Sequence, residues 1–240
     1  MRFEITENKP LTPQVRSMRL AGDAAAFTRP GQFVQAALPG FYLRRPISVC
    51  QWTPESLRLV YKIVGPGTEA MAGLQPGAEL DLLTGLGNGF DPDACGERPL
   101  LVGGGVGLPP LLGLCEALLR QGKRPRVAAG FGSAGEVFLA EDFEALGVPV
   151  DIATLDGSRG RKGLVTEGLP EAPDGLCACG PLPMLKALWR RFGGRGQYSL
   201  EERMGCGFGA CMGCSIQTAG GPRRVCKEGP VFRGEELLWA

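Results

Sequence analysis

Four cysteines late in the sequence, Cys206, Cys211, Cys214 and Cys226, are spaced Cys-x4-Cys-x2-Cys-x11-Cys, the first three within M-G-C-G-F-G-A-C-M-G-C-S. The first three match the plant-type 2Fe–2S ligand run, in which one loop supplies three thiolates and a later residue closes the site. Glycines at 205, 207, 209 and 213 suit such a loop, which must turn tightly and aim backbone N–H groups at sulfur. A structural zinc site and simple disulfides are the competing readings. Zinc sites usually show two short Cys-x2–4-Cys pairs, whereas here the fourth cysteine stands alone. The run therefore points to electron transfer.

Composition narrows the chemistry further. The chain has no histidine, which removes Ser-His-Asp and Cys-His catalysis, His-bound zinc, His-ligated haem and Rieske centres. Redox work without histidine has to be borrowed from cofactors. A net charge of +1 offers no basic excess for nucleic acid. The opening M-R-F-E-I-T-E-N-K-P lacks the apolar run of a signal peptide, and no stretch approaches the roughly 20 apolar residues of a membrane span. Nine cysteines without a secretion signal suit a reducing compartment, and the expected location is the cytoplasm. Cys50, Cys95, Cys115 and Cys177 read as small buried hydrophobes.

Periodicity divides the 240 residues into three segments: 1–95, 96–200 and 201–240. In the first, short partly alternating runs at Phe3–Asn8, Val15–Leu20, Gln32–Ala37, Pro46–Gln51, Leu57–Val64 and Glu79–Leu83 predict a small antiparallel β-barrel, with a helical turn from Thr68. The second alternates strand and helix. Leu100–Val102 leads through Gly103-Gly104-Gly105-Val106-Gly107 into a helix carrying Leu111, Leu114, Cys115, Leu118 and Leu119 on one face. Strand Val127–Phe131, helix Val137–Leu146, strand Val150–Thr154, strand Leu176–Cys179, helix Leu182–Arg191 and strand Tyr198–Leu200 follow. This pattern predicts a doubly wound parallel sheet with its ligand at the carboxyl ends of the strands. The last segment is too small for a core of its own and must lean on a cluster and a neighbour.

Several motifs gain meaning from their order. The glycine turn at 103–107 exposes N–H groups where a pyrophosphate would settle, though it lacks the third glycine of G-x-G-x-x-G and also reads as a plain tight turn. Cys179-Gly180-Pro181 joins another strand to a helix near the same sheet edge; Cys179 is a candidate nicotinamide contact or a packed thiol. In the barrel segment Arg45 and Ser48 bracket Pro46-Ile47, fit to fork onto a diphosphate and to bond a ring edge, or else merely a surface pair. Tyr61-Lys62-Ile63-Val64-Gly65-Pro66-Gly67-Thr68 supplies a strand, a glycine turn and a hydroxyl, a second possible anion cradle.

Taken in order, R-R-P-I-S, G-x-G-T, L-V-G-G-G-V-G-L-P-P-L and C-G-P-x-P-M-L resemble the ferredoxin-reductase-like flavoproteins. The ending E-E-R-M-G-C-G-F-G-A-C-M-G-C…V-C-K-E-G-P-V-F resembles the electron-transfer subunits of NAD-linked, type B dihydroorotate dehydrogenases, and the likeness runs from Val15 to Phe232. The resemblance implies FAD held by Arg45, Pro46, Ile47 and Ser48, with Tyr61, Lys62 and Ile63 along it and Gly67 and Thr68 at its pyrophosphate. It implies NAD near Gly103, Gly104, Gly105, Val106, Gly107, Cys179, Gly180 and Pro181, and a 2Fe–2S cluster on Cys206, Cys211, Cys214 and Cys226. It also implies an FMN-containing catalytic partner in a two-plus-two heterotetramer, serving pyrimidine (UMP) biosynthesis, with no dihydroorotate oxidation by this chain alone.

Two departures stand out. The interval to Cys226 is much shorter than in free plant-type ferredoxins, and the chain lacks the terminal aromatic that shields the flavin in many ferredoxin–NADP reductases, a place the cysteine segment is expected to take. Hydride transfer moves two electrons and a 2Fe–2S centre one, so a flavin between them is required, giving the order cluster, FAD, nicotinamide. NAD is favoured over NADP because Gly130–Glu136 carries no basic residue and Glu136 would repel a 2′-phosphate. The same cofactor motifs would also serve an NAD(P)H-dependent reductase feeding a ferredoxin, an oxygenase or a hydrogenase. A zinc-stabilised docking module is the non-enzymatic alternative.

Overall fold

A computed structural model describes residues 1–239. Six strands close a barrel: β1 (Arg2–Pro10), β2 (Val15–Ala21), β3 (Phe33–Ala36), β4 (Arg45–Thr53), β5 (Ser56–Lys62) and β6 (Glu79–Leu86), in the order β1-β2-β5-β4-β3-β6 with every pair antiparallel. Alternation fills the interior: Phe3 and Ile5, Met18 and Leu20, Leu57 and Leu59, and Leu80 and Leu82 share one buried cluster. Helix α1 (Pro66–Ala72) begins two residues before the expected Thr68, because Pro66 is pre-organised for the first helical position.

The second unit is a seven-stranded sheet. Its members are β7 (Leu100–Gly104), β8 (Arg126–Phe131), β9 (Val150–Thr154), β10 (Arg161–Lys162), β11 (Leu176–Cys179), β12 (Gln197–Ser199) and β15 (Val231–Arg233), ordered β10-β9-β8-β7-β11-β12-β15. All pairings are parallel except β12 with β15. Helices α2 (Leu108–Arg120) and α3 (Ala140–Ala145) cover one face and α4 (Leu182–Arg191) the other. Neighbouring residues of β7 record the two faces: Leu101 packs with Leu111, Leu114 and Leu118 of α2, while Leu100 and Val102 pack with Leu185 and Leu188 of α4. This is the doubly wound arrangement expected. Helix α3 is shorter than the expected Val137–Leu146. Phe138 and Leu139 are buried, Leu139 sits at φ 62°, and the helix starts only after this dip into the core.

Helix α2 lies between the sheet and the barrel. A Cβ on Gly113 would stand 2.7 Å from the Cys50 carbonyl of β4, so glycine permits this approach. Polar contacts lock the junction: buried Arg58 pairs with Asp142 and donates to Ser17 Oγ (3.1 Å) and Gln51 Oε1 (2.9 Å). Each fully buried leucine here contributes roughly 1.5–3 kcal/mol. The four cysteines read as packing residues are buried, and Cys95 and Cys177 form a contact of 3.4 Å between their sulfurs.

The cysteine segment leaves the sheet after β12, forms the hairpin β13 (Ser215–Thr218) and β14 (Gly221–Arg224), and returns as β15. It has little core of its own: Cys214, Val225 and Cys226 are buried with Phe33 of the barrel and Phe232 of β15. Asn88 grips it from the barrel side, donating to the carbonyls of Glu228 (2.9 Å) and Val231 (2.7 Å) and accepting from the Val231 N–H (3.1 Å). No helix among the described residues is long and apolar enough to cross a membrane.

Candidate functional site

The parallel strands β7 and β11 end beside each other, Gly103 opposite Cys179, and the glycine turns that follow them touch. A Cβ on Gly107 would fall 2.0 Å from the Cys179 carbonyl oxygen, and one on Gly104 would fall 2.7 Å from Pro181 Cδ. Gly105, at φ +51°, has open space before it. Together with Gly130, Gly132, Pro183 and Met184 these turns line a cleft of about 400 Å³ at the carboxyl ends of the strands, the place where doubly wound sheets bind nucleotides. Lys62 is the basic side chain among its lining residues, and Glu136 stands over Gly132, where a Cβ would be 2.5 Å from its carboxylate.

A second cleft of about 320 Å³ runs between the barrel and the sheet. Arg45, Pro46, Ile47 and Ser48 of β4 form one wall, with Tyr61, Lys62 and Thr68 beyond; Val106 and Cys179 face them. Arg45 lies against Gly67, whose Cβ would be 2.1 Å from the guanidinium Nε, and it stacks 4.8 Å from the Phe41 ring centre. Among the described residues it has no carboxylate partner, so its charge is available to an anion. Beside it the first turn of α1 offers only the Gly67 and Thr68 N–H groups, since Pro66 has none and the Glu69 N–H bonds the Gly65 carbonyl (3.0 Å). The Thr68 hydroxyl is already used locally, accepting from the Val64 N–H (2.9 Å) and Gly65 N–H (3.2 Å) and donating to the Gly65 carbonyl. A diphosphate on Arg45 and an aromatic ring edge at Ser48 fit this cleft.

The sequence-derived residues fall unequally. Arg45, Pro46, Ile47, Ser48, Tyr61, Lys62, Thr68, Val106 and Cys179 share the barrel-side cleft, while Gly104, Gly105 and Pro181 line the sheet-side one. Gly103, Gly107 and Gly180 shape the turns from behind, as Gly67 does for Arg45. Ile63 lines neither cleft; its N–H bonds the Gln14 carbonyl. The Tyr61 ring packs in the barrel and its hydroxyl donates to Asn8. Sequence reasoning missed Ser199, Leu200, Glu201, Glu202, Met204 and Pro230, which wall the barrel-side cleft where the terminal aromatic of other reductases was expected to be replaced. Their signal was only position, Ser199–Met204 just before the cysteine run and Pro230 just after it.

The thiol of Cys179 is buried, which with the nearby Glu201 charge pushes its pKa up to about 12, against a small downward pull from Ser199. It is a neutral thiol at physiological pH. Glu201 opens onto solvent through the cleft mouth yet is crowded on its other sides, and that desolvation lifts its carboxyl above the usual range.

The four cysteines of the run form two pairs. Cys206 accepts N–H groups from Ala210 (3.2 Å) and Cys211 (3.4 Å) and lies beside the Cys211 thiol. Desolvation pushes the Cys206 thiol up, but the Cys211 and Phe208 N–H groups and its other donors outweigh this and lower it to about 6. Cys214 accepts the Cys226 N–H at 3.4 Å, and burial followed by the Cys214 thiol pushes Cys226 up to about 12. Among the described residues no three ligand side chains gather tightly enough for a single metal ion. Two thiol pairs served by N–H donors are residues that would hold a 2Fe–2S group, and such donors suit its sulfurs. Arg224 clasps the segment, donating to the Gly209 carbonyl (2.6 Å) while pairing with Glu228, whose carboxyl it holds down to about 2.

A family model described as the iron–sulfur cluster binding domain of dihydroorotate dehydrogenase B matches residues 201–238. The chain is 41% identical over 254 residues to the electron transfer subunit of dihydroorotate dehydrogenase B (NAD(+)) of Geobacillus thermodenitrificans, covering 99% of this chain and 98% of that one. The corresponding subunit of Shouchella clausii is 42% identical over 226 residues, 88% of this chain and 87% of the relative. Among solved structures, that of an NADH-dependent reduced ferredoxin–NADP oxidoreductase superimposes with a TM-score of 0.88 at 29% identity, over 99% of this chain and 90% of that one.

Proposed function

Given that the chain belongs to the family of electron-transfer subunits of NAD-dependent dihydroorotate dehydrogenase B, we propose that it carries electrons from a separate FMN-containing catalytic subunit to NAD+. FAD would lie in the barrel-side cleft, NAD in the sheet-side cleft, and a 2Fe–2S cluster on Cys206, Cys211, Cys214 and Cys226. When bound, the cluster supplies one-electron exchange and the flavin joins it to two-electron hydride chemistry.

This chain's residues do the positioning. Arg45 and the first turn of α1 hold the diphosphate, while Ser48 and Pro46 fix the ring edge. The Gly104–Gly105 and Gly180–Pro181 turns leave room for a nicotinamide to approach the same ring from the sheet side, and Glu136 disfavours a 2′-phosphate. Lys62 lines both clefts and faces both nucleotides. Glu201, Glu202 and Met204 close the barrel-side cleft and lead directly into Cys206. Cys179 serves as a neutral packing wall.

The observation that carries this reading is the shared wall: one cleft touches the barrel, the sheet turns and the residues that open the cysteine segment. The test is the visible spectrum of anaerobically purified protein before and after NADH, with iron and acid-labile sulfide analysis. Flavin bands over an iron–sulfur background, bleached by NADH, with two irons per chain, are expected; a colourless zinc protein overturns the reading. The purified chain alone is expected to form no orotate, and a catalytic subunit, in a two-plus-two assembly in the cytoplasm, restores that activity. The likeness to the ferredoxin–NADP oxidoreductase favours ferredoxin as the acceptor in the second reading; pull-down from the source cell separates the two.

A further inference from the structure

Gln35 on β3 is wholly buried, and neither atom of its side-chain amide has a hydrogen-bond partner. Such a group is costly wherever it stands, and an apolar residue of the same size would fit a strand without that cost. Its surroundings say what it awaits. Side chains of β3 alternate: Val34 and Ala36 fill the barrel, whereas Phe33 packs outward with Cys214, Val225 and Cys226. Gln35 shares the outward face of Phe33 and points at the cysteine segment. A Cβ on Gly207, the residue after Cys206, would lie 2.3 Å from Gln35 Nε2 and 2.6 Å from its Cγ. On its other side Gln35 is in register with Pro46, a wall of the barrel-side cleft. The amide therefore stands between the two redox sites.

We propose that Gln35 is a positioning residue for the iron–sulfur cluster, its side-chain N–H donating to a cluster sulfur, with Gly207, whose φ of +79° itself favours glycine, leaving the amide its place. The inference rests on the cluster reading above. A donor to sulfur favours the reduced, more negative state of the cluster and so raises its potential. It also ties β3, and through it the cleft wall at Pro46, to the segment that holds the sulfurs.

The test is an EPR-monitored redox titration of iron- and sulfide-quantified holoprotein, wild type against Gln35→Leu. The variant's cluster potential is expected to fall by about 59 mV, a tenfold shift in the reduced-to-oxidised ratio for a one-electron couple, while the flavin potential stays where it was. A fully loaded variant with an unmoved cluster potential overturns the proposal. A second measurement needs no variant: wild-type protein carrying 15N in the glutamine side chains is reduced and examined by pulsed EPR. A 15N coupling is expected in place of the 14N coupling of unlabelled protein, and its absence overturns the proposal even if Gln35→Leu fails to load. Wild-type protein without iron or sulfide would instead overturn the cluster reading itself, and the proposal with it.

Discussion

Glycine crowds two regions of this molecule, the Gly103–Gly107 turn above the parallel sheet and the cysteine segment from Gly205 to Gly213, for different physical reasons. In the sheet turn, Gly107 lets backbone meet backbone: it abuts the Cys179 carbonyl, and nothing in that contact can swing aside. In the cysteine segment, Gly207 and Gly209 have φ near +79° and +94°, and the atoms they spare belong to side chains, those of Gln35, Lys227 and Arg224. The first region is set by a hydrophobic core that presses two turns together. The second is set by what its sulfurs and N–H groups must face, with Phe33, Val225 and Phe232 among its apolar supports.

The comparison breaks most visibly at the thiols. Cys226→Ser is expected to take iron and sulfide from two per chain to nearly none while FAD content changes less than twofold; full iron retention in that variant would show that Cys226 is not a ligand. The next effect sharpens the contrast between the glycines. Gly107→Ala forces a Cβ onto fixed backbone and is expected to cost about 3 kcal/mol, at the upper end of typical overpacking. That corresponds to roughly 6–12 °C in thermal midpoint for a chain of this size. Gly209→Ala meets side chains and a left-handed backbone, so its expected loss is smaller, roughly 1–2 kcal/mol, and appears mainly as iron lost on dilution. Equal midpoints for the two variants would contradict the distinction.

Arg45→Ala removes a charge-assisted contact of roughly 1.5–3 kcal/mol, and FAD affinity in fluorescence titrations is expected to fall about 10- to 150-fold. The smallest effect concerns Cys179. Its thiol titrates near 12 in the folded state against 9.0 as a free group, so the stability it supports is complete below pH 9 and is lost as pH rises toward 12. Cys179→Ala is expected to flatten the decline in thermal midpoint above pH 9. The pH profile of NADH turnover between pH 6 and 9 should be the same in Cys179→Ser as in wild type; an inflection lost in the variant would mean the thiol takes part in the chemistry.

Much of this was legible in the sequence because it is periodic. The barrel strands, helix Leu182–Arg191 and the doubly wound sheet follow from alternation and helical spacing, and the cysteine run stands out by its spacing, though not by the pairs it forms. Arg45-Pro46-Ile47-Ser48 drew notice because its residue types suit parts of a nucleotide, and the structure sets all four along one cleft. What escaped were features fixed by chain geometry at long range. Ser199–Met204 became a cleft wall only because β12 ends beside the barrel. The start of α3 was misplaced because burial of Phe138 and Leu139 overrode helix propensity. Ile63 looked like its neighbours Tyr61 and Lys62 but lines neither cleft, and its N–H is spent on Gln14. Gln35 carried no motif at all.

Strands β12 and β15 are adjacent and antiparallel, so topologically they are the two arms of a hairpin whose connection happens to hold the entire cysteine segment. The cluster is thus carried on an excursion from one edge of a sheet that is otherwise complete. Such an arrangement is modular: a short turn between Leu200 and Pro230, which already share a backbone hydrogen bond of 2.9 Å, would close the hairpin without re-threading any other strand. An electron-transfer wire can in this way be spliced into, or out of, a flavin reductase at a single point in its gene.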